Sequence, residues 1–220
     1  MKYFLKLSTL LLVASSIFLS CKKDKENEPQ FDINSPAGYV VAGKFSIMVQ
    51  GNLMNIPIVF EFLANQKVKL AYIEGTGDLD YIVSKDTILL NGIKLLIKDD
   101  RVTYFRFGQD EHANYNFKLL KKPASNTLRG KTFAGTYYNP DNTVLHPDFF
   151  YGFHASEDKV AAGYTVGAPV RTETYTPVGN VAALVHGNGF NEFMLLNEGK
   201  LEAMYLAAGG GYQYATLSPQ

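Results

Sequence analysis

The sequence contains no tryptophan, one cysteine and no excess of either charge. Lysine and arginine together number 21, and so do aspartate and glutamate, so the formal net charge is zero. Nucleic-acid-binding proteins need a basic patch or stripe, and none stands out here, so we expect no nucleic-acid partner. A lone cysteine cannot form an internal disulfide. Cys21 therefore needs another explanation.

Patterns that carry catalysis or bind metals are also missing. The sequence has no Gly-x-Ser-x-Gly elbow for a nucleophilic serine. No histidine shows the tight spacing to other histidines and carboxylates that a metal site needs. His146 is predicted to shape a turn with Pro147 and Asp148. We therefore predict that the protein is not an enzyme and that it holds no metal ion and no cofactor.

A basic and apolar leader precedes Cys21. Lys2 and Lys6 are followed by an apolar stretch, Leu7–Leu19, that is shorter than the roughly 20 residues of a membrane-spanning helix. The leader therefore has the dimensions of a signal peptide. Ordinary secretion with cleavage after Ser16 and an uncleaved anchor are the alternatives.

The end of the leader resembles the lipobox of bacterial lipoproteins. The run Phe18-Leu19-Ser20-Cys21 carries the small residue and the cysteine of that box, with Phe18 where leucine is usual. The resemblance implies that residues 1–20 are a signal peptide, with Ser20 the last residue removed. It also implies that Cys21 carries a diacylglycerol and an acyl chain such as palmitate. Two or more chains hold a protein stably on a bilayer, so membrane lipid is the expected partner of Cys21.

Residues 21–36 are predicted to be the lipidated cysteine and a flexible tether. Mixed charge with almost no apolar content cannot fold alone. Lys22 follows the cysteine, where an aspartate retains some enteric lipoproteins in the inner membrane, so we expect an outer-membrane anchor in a Gram-negative cell. The charged run Lys22–Glu26 resembles the export tag of some surface lipoproteins. The body is therefore expected either on the cell surface or on the periplasmic face.

The body has the composition of an all-β protein. It is rich in tyrosine and phenylalanine, and 19 glycines punctuate the chain. Apolar residues alternate with polar ones in several segments, which is typical of half-buried strands. In one of them, Pro57 and Glu61 are predicted to face away from the core, opposite Ile56, Ile58, Phe60 and Phe62.

The body is also predicted to be an internal duplication, with copies at 37–124 and 125–220. Because Leu201–Tyr205 then aligns with a strand of the first copy, we predict a strand there despite its good helix formers. The matching segments are Gly43-Lys44-Phe45 with Gly130-Lys131-Thr132-Phe133, Phe60-Glu61-Phe62 with Tyr151-Gly152-Phe153, Tyr81 with Tyr175, and Ile97 and Val102 with Leu196 and Leu201.

Each copy resembles lipocalin-like units of bacterial lipoproteins. The best local match is the turn Asn197-Glu198-Gly199-Lys200-Leu201, and Phe45 and Phe133 stand where those units usually have tryptophan. The resemblance implies an antiparallel up-and-down β-barrel of the lipocalin or calycin type, built from two tandem repeats. Closure of such a barrel removes exposed strand edges. Whether the copies form two barrels or two halves of one stays open.

Aromatic residues are the remaining candidates for a binding site. We predict that Tyr137, Phe150, Tyr151 and Tyr164 line a cavity for a small apolar or aromatic ligand. The alternative is that they are core and cross-strand pairs. The corresponding functional hypothesis is a membrane-anchored lipoprotein whose barrel binds such a ligand. The alternative function is a surface module that binds an envelope protein and no ligand.

Overall fold

The computed structural model describes residues 31–49, 51–108, 110–111 and 115–220. Cys21, Ser20 and the tether up to residue 30 lie outside the described residues, so their predicted roles stay predictions. The described residues form strands and turns, with no helix among them. Residues 32–220 form a compact unit.

The first copy contributes nine strands. They are β1 (Tyr39–Val49), β2 (Asn52–Phe62), β3 (Lys67–Tyr72), β4 (Gly75–Ser84), β5 (Thr87–Leu90), β6 (Ile93–Lys98), β7 (Arg101–Phe107), β8 (Asp110–Glu111) and β9 (Tyr115–Lys121). Each strand from β1 to β7 pairs with the next in antiparallel fashion, and β9 returns to pair with β1. β7 also contacts β9, so this sheet curls into a nearly closed barrel.

The second copy contributes nine more. They are β10 (Thr132–Tyr138), β11 (Val144–Phe153), β12 (Lys159–Gly163), β13 (Arg171–Thr174), β14 (Thr176–Val178), β15 (Ala182–Gly187), β16 (Phe190–Asn197), β17 (Lys200–Ala207) and β18 (Tyr212–Pro219). β18 pairs with both β10 and β17. β13 and β14 flank Tyr175 and together match the single strand β4, in which Tyr81 is the equivalent residue.

The predicted fold class is therefore confirmed. The chain is all-β and antiparallel, and it builds two nearly closed up-and-down barrels from tandem repeats. The strand predicted at Leu201–Tyr205 lies within β17. The question of one barrel or two is answered in favour of two.

Strand register corrects one detail of the repeat alignment. Phe60 pairs with Val41 in the first barrel, and its equivalent Tyr151 pairs with Phe133 in the second. Gly43 is therefore equivalent to Gly135, and the glycine at 130 that the motif suggested lies before β10. Sequence likeness chose the wrong glycine because a Gly-Lys pair also occurs in the turn that leads into the strand.

Several strands are buried on both faces. Every residue from Ile56 to Phe62 is buried, although alternation predicted that Pro57 and Glu61 face away from the core. The inward face of β2 fills its own barrel, and β1 and β2 contact β16 and β17 of the second barrel. The outward residues on this shared surface include Val40, Ala42, Val59, Phe193, Leu195 and Met204, all buried. The barrels pack side by side, which single-copy patterns cannot reveal.

Carboxylates on the shared surface have polar partners. Glu61 is 5% exposed; Lys122 Nζ and the backbone N–H of Gly179 both donate to its carboxylate. Glu202 accepts from Lys44 Nζ at 2.8 Å and from Thr216 Oγ1 at 2.7 Å. Buried charges persist when they are paired and hydrogen-bonded, as both are here.

We predict that Gly43→Ala destabilises the protein far more than Gly135→Ala. A Cβ at position 43 would lie 1.9 Å from the backbone oxygen of Asn116, which cannot move without breaking the β1–β9 pairing. At position 135 the nearest atom is Leu217 Cδ2 at 3.1 Å, a side-chain tip that can shift. Urea unfolding should show a loss of about 3 kcal/mol for Gly43→Ala and about 1 kcal/mol for Gly135→Ala. Equal losses would contradict the assigned register.

Candidate functional site

Each barrel carries a cavity at one end. The first mouth, of about 530 Å³, is lined by Phe45, Ile47, Met48, Leu53, Ile56 and Phe107, with Tyr72, Glu74 and Tyr212 on its polar side. The second mouth, of about 240 Å³, is lined by Tyr137, His146, Phe149, Tyr164, Arg171, Glu192, Tyr205 and Gln213. Both are bordered by strands, which hold the lining side chains in place.

The two mouths occupy equivalent ends of the duplicated barrels. Phe107 pairs with Ile93 across β6 and β7, and Tyr205 pairs with Glu192 across β16 and β17. Strand register also makes other residues that line the first mouth equivalent to residues that line the second. The equivalent pairs are Phe45 and Tyr137, Tyr72 and Tyr164, and Phe107 and Tyr205.

A buried polar network forms the floor of the second mouth. Glu192, on the inward face of β16, is 1% exposed. Arg171 forms an ion pair with its Oε1, and Tyr151 Oη donates to the same oxygen at 2.7 Å. The hydroxyl of Tyr137 lies 2.7 Å from that of Tyr151 and extends the chain. Side chains from four strands therefore form one network, in which Arg171 and Tyr151 bind the Glu192 carboxylate and Tyr137 binds Tyr151.

This network is incompletely satisfied. Arg171 Nη1 and Glu192 Oε2 are both buried and have no hydrogen-bond partner. Leaving a buried donor or acceptor unpaired costs about 1–3 kcal/mol, and more for charged groups. The second mouth thus contains one free donor and one free acceptor on the two members of a single ion pair.

Burial and charge shift the acid–base behaviour of these groups. Burial, followed by the charge of Glu192, raises the pKa of Tyr151 well above 10.0. The pKa of Tyr137 is raised for the same two reasons. For Arg171, burial favours a lower pKa, but the charge of Glu192 and its hydrogen bond outweigh it, and the net pKa is raised. The tyrosines stay neutral and the guanidinium stays charged over the physiological range.

Aromatic rings form the rim of the second mouth. The ring of Tyr164 lies edge-on to those of His146 and Phe149, with centroids 4.9 and 5.5 Å away, and Tyr164 is 50% exposed. Tyr205, which also lines the mouth, stacks on Phe190 at 5.3 Å, and the Arg171 guanidinium lies over Phe190. The rim thus offers flat apolar faces above a polar floor.

The first barrel has no equivalent of this polar floor. Strand register assigns an apolar residue or glycine to every position of the network. Tyr137, Tyr151, Arg171 and Glu192 correspond to Phe45, Phe60, Gly77 and Ile93. The fold itself therefore does not require the network.

The first mouth is apolar except at one side. Tyr72 Oη donates to Glu74 Oε2 at 2.9 Å, and Tyr212 Oη donates to Glu74 Oε1 at 3.3 Å. Burial, followed by the hydrogen bond to Glu74, raises the pKa of Tyr72 to about 12. Met48 and Leu53 pair across β1 and β2 at the rim, 65% and 63% exposed. Both apolar side chains thus meet solvent beside the cavity.

The structure brings together three of the four aromatic residues predicted as a ligand site. Tyr137 and Tyr164 line the second mouth, and Tyr151 lies beneath it. Phe150 is also buried but points to the opposite face of β11, near Gly163. The cavity they form is polar at its floor, which the aromatic pattern did not indicate.

Sequence reasoning missed the residues that give the second mouth its charge. Arg171 and Glu192 were not singled out. Glu192 had a detectable signal, because alternation along β16 places it on the same face as the buried Met194. His146 was predicted to shape a turn, but it lies within β11 and on the rim. The first mouth was not predicted because the apolar residues that line it have the same sequence pattern as ordinary core residues.

Comparisons with known proteins give no further assignment: no family model and no curated protein matches this chain. In the described part of the chain, no group of three or more histidines, cysteines and carboxylates could hold a metal ion. The same residues include no helix long and apolar enough to cross a membrane.

We predict that the free energy of unfolding falls as the pH rises above about 10. Tyr137 and Tyr151 resist ionisation in the folded state, whereas in the unfolded chain they ionise near 10.0, so high pH favours unfolding. Tyrosinate absorbance should show a fraction of tyrosines that ionise only when the protein unfolds.

Tyr151→Phe should reduce that fraction and cost about 1–3 kcal/mol, because Glu192 loses a hydrogen bond. Tyr164→Phe, at the half-exposed rim, is the control for stability. A Tyr151→Phe protein as stable as that control would contradict the network.

Proposed function

We propose that this protein is a lipid-anchored envelope protein whose first barrel binds a small apolar or aromatic ligand. The observation that carries the proposal is the first mouth: a strand-bordered cavity of about 530 Å³ with apolar walls. Small-molecule sites are typically concave, about 300–1,000 Å³, mostly hydrophobic and furnished with a few polar groups. The cavity fits each part of that description.

The polar groups of the first mouth give the ligand an orientation. Glu74 is held by two tyrosine hydroxyls at one side, so a ligand with a single polar end would place that end there. The aromatic interior below extends from Phe45 to Phe105, whose rings meet at 5.2 Å. An elongated or flat apolar molecule would therefore enter with its polar end outermost.

Binding of an apolar probe tests this proposal. Leu53→Trp would supply the protein's sole tryptophan, at the rim of the first mouth. Energy transfer from it to the neutral fluorophore N-phenyl-1-naphthylamine should saturate as the probe fills the mouth. Adding Phe107→Arg, which puts a charge into the apolar wall, should weaken binding at least tenfold.

Phe107→Leu, which keeps the wall apolar, is the matched control and should leave the transfer saturable. No effect of Phe107→Arg, or an equal loss with Phe107→Leu, would refute a ligand site in the first mouth.

The lipid anchor is the second part of the proposal. The leader, the lipobox-like run and the charged tether support attachment through Cys21 to the outer membrane. In bacteria grown with an alkyne analogue of palmitate, the wild-type protein should incorporate label and Cys21→Ala should not. Ser16→Leu, which blocks the alternative secretory cleavage but leaves Cys21, should keep the label. Label retained by Cys21→Ala would rule out the anchor.

The alternative function is a protein-interaction module. Met48 and Leu53 favour it, because they expose neighbouring apolar side chains at the tip of the β1–β2 hairpin. Exposed apolar patches on soluble proteins often mark binding surfaces. Cross-linking in cells from this hairpin, combined with a negative probe experiment, would favour the interaction module over the ligand site.

A further inference from the structure

The buried ion pair between Arg171 and Glu192 indicates a binding role for the second mouth. The equivalent positions of the first barrel carry no charge. Ile93 is equivalent to Glu192, and Gly77 is equivalent to Arg171. Replacing a buried ion pair by apolar residues is often neutral or stabilising. Stability therefore does not account for the pair, and a binding role does.

The unpaired atoms specify the hydrogen-bonding pattern of the ligand. Arg171 Nη1 can donate one further bond, and Glu192 Oε2 can accept one. A ligand that satisfies both must present an acceptor and a donor close together. Neighbouring hydroxyl groups do so, since each hydroxyl both donates and accepts.

The electrostatics favour a neutral ligand. The charges of Arg171 and Glu192 offset each other, and the hydroxyls of Tyr137 and Tyr151 stay protonated. A charged ligand would meet one like charge in the pair at short range. His146, on the rim, is the remaining titratable group with a basic side chain that lines the mouth.

The rim and the volume favour a compact molecule with a flat apolar face. Tyr164 is half exposed and is held edge-on against Phe149, so its ring is available for stacking. The mouth encloses about 240 Å³, room for one small ring. Gln213 adds an amide at the edge, which can bond a further hydroxyl.

We propose that the second mouth binds a neutral sugar ring. Two adjacent hydroxyls accept from Arg171 Nη1 and donate to Glu192 Oε2, and one face of the ring packs against Tyr164. This site is separate from the apolar site proposed in the first mouth, and neither depends on the other.

Saturation-transfer NMR on the full-length protein tests the assignment, with the methyl glycosides of glucose, galactose and mannose as probes. At least one should receive saturation from the protein and show a saturable titration. Glu192→Gln should weaken that binding at least tenfold, because it changes the acceptor and leaves Arg171 unbalanced. Tyr164→Ala should weaken it about threefold to tenfold by removing the stacking surface.

Two controls keep the outcomes separate. Phe107→Arg in the first mouth should leave sugar binding unchanged, so loss of the apolar site does not imply loss of this one. Because Tyr164 is half exposed, Tyr164→Ala remains informative if Glu192→Gln fails to fold.

The proposal is overturned if none of the three glycosides binds, or if binding survives both second-mouth variants undiminished. It is also overturned if N-methylacetamide, which offers a donor and an acceptor but no hydroxyls, competes as well as the best sugar.

Discussion

The structure depends on the surface along which the two barrels pack. A barrel normally buries its inward face and leaves its outward face to solvent, but here β1 and β2 meet β16 and β17 with both faces buried. The carboxylates of Glu61 and Glu202 on this surface are each paired with a lysine. The barrels are thereby fixed side by side, and a displacement of either would expose apolar side chains and leave charges unpaired.

The two barrels carry cavities at equivalent ends, and these cavities differ in chemistry. At the same inward positions the first barrel carries Phe45, Phe60 and Ile93, and the second carries Tyr137, Tyr151 and Glu192. Each tyrosine differs from its phenylalanine counterpart by one hydroxyl, so ring packing is kept and a hydrogen bond is gained. Because the strands of the two barrels are equivalent, one scaffold carries two different chemistries.

The sequence predicted the fold well because alternation and turn residues are local signals. Tyr81 and Tyr175 were matched correctly, as were the hairpin pairs Ile97 with Val102 and Leu196 with Leu201. The burial of Glu61 was not predictable, since it arises from contact with a barrel more than 100 residues away along the chain. Phe150 was misplaced for a simpler reason: three consecutive aromatics in β11 hide which face is inward.

The fold does not require the polar floor of the second mouth. The first barrel folds around apolar residues at the same positions, so the network is not part of the scaffold. Its unpaired atoms, Arg171 Nη1 and Glu192 Oε2, cost stability as they stand. Strands hold both side chains in place, so the sugar proposed for this mouth would pair with them without a change in the backbone. Under that proposal, pairing both atoms would remove the cost of leaving them unpaired and would thereby strengthen binding.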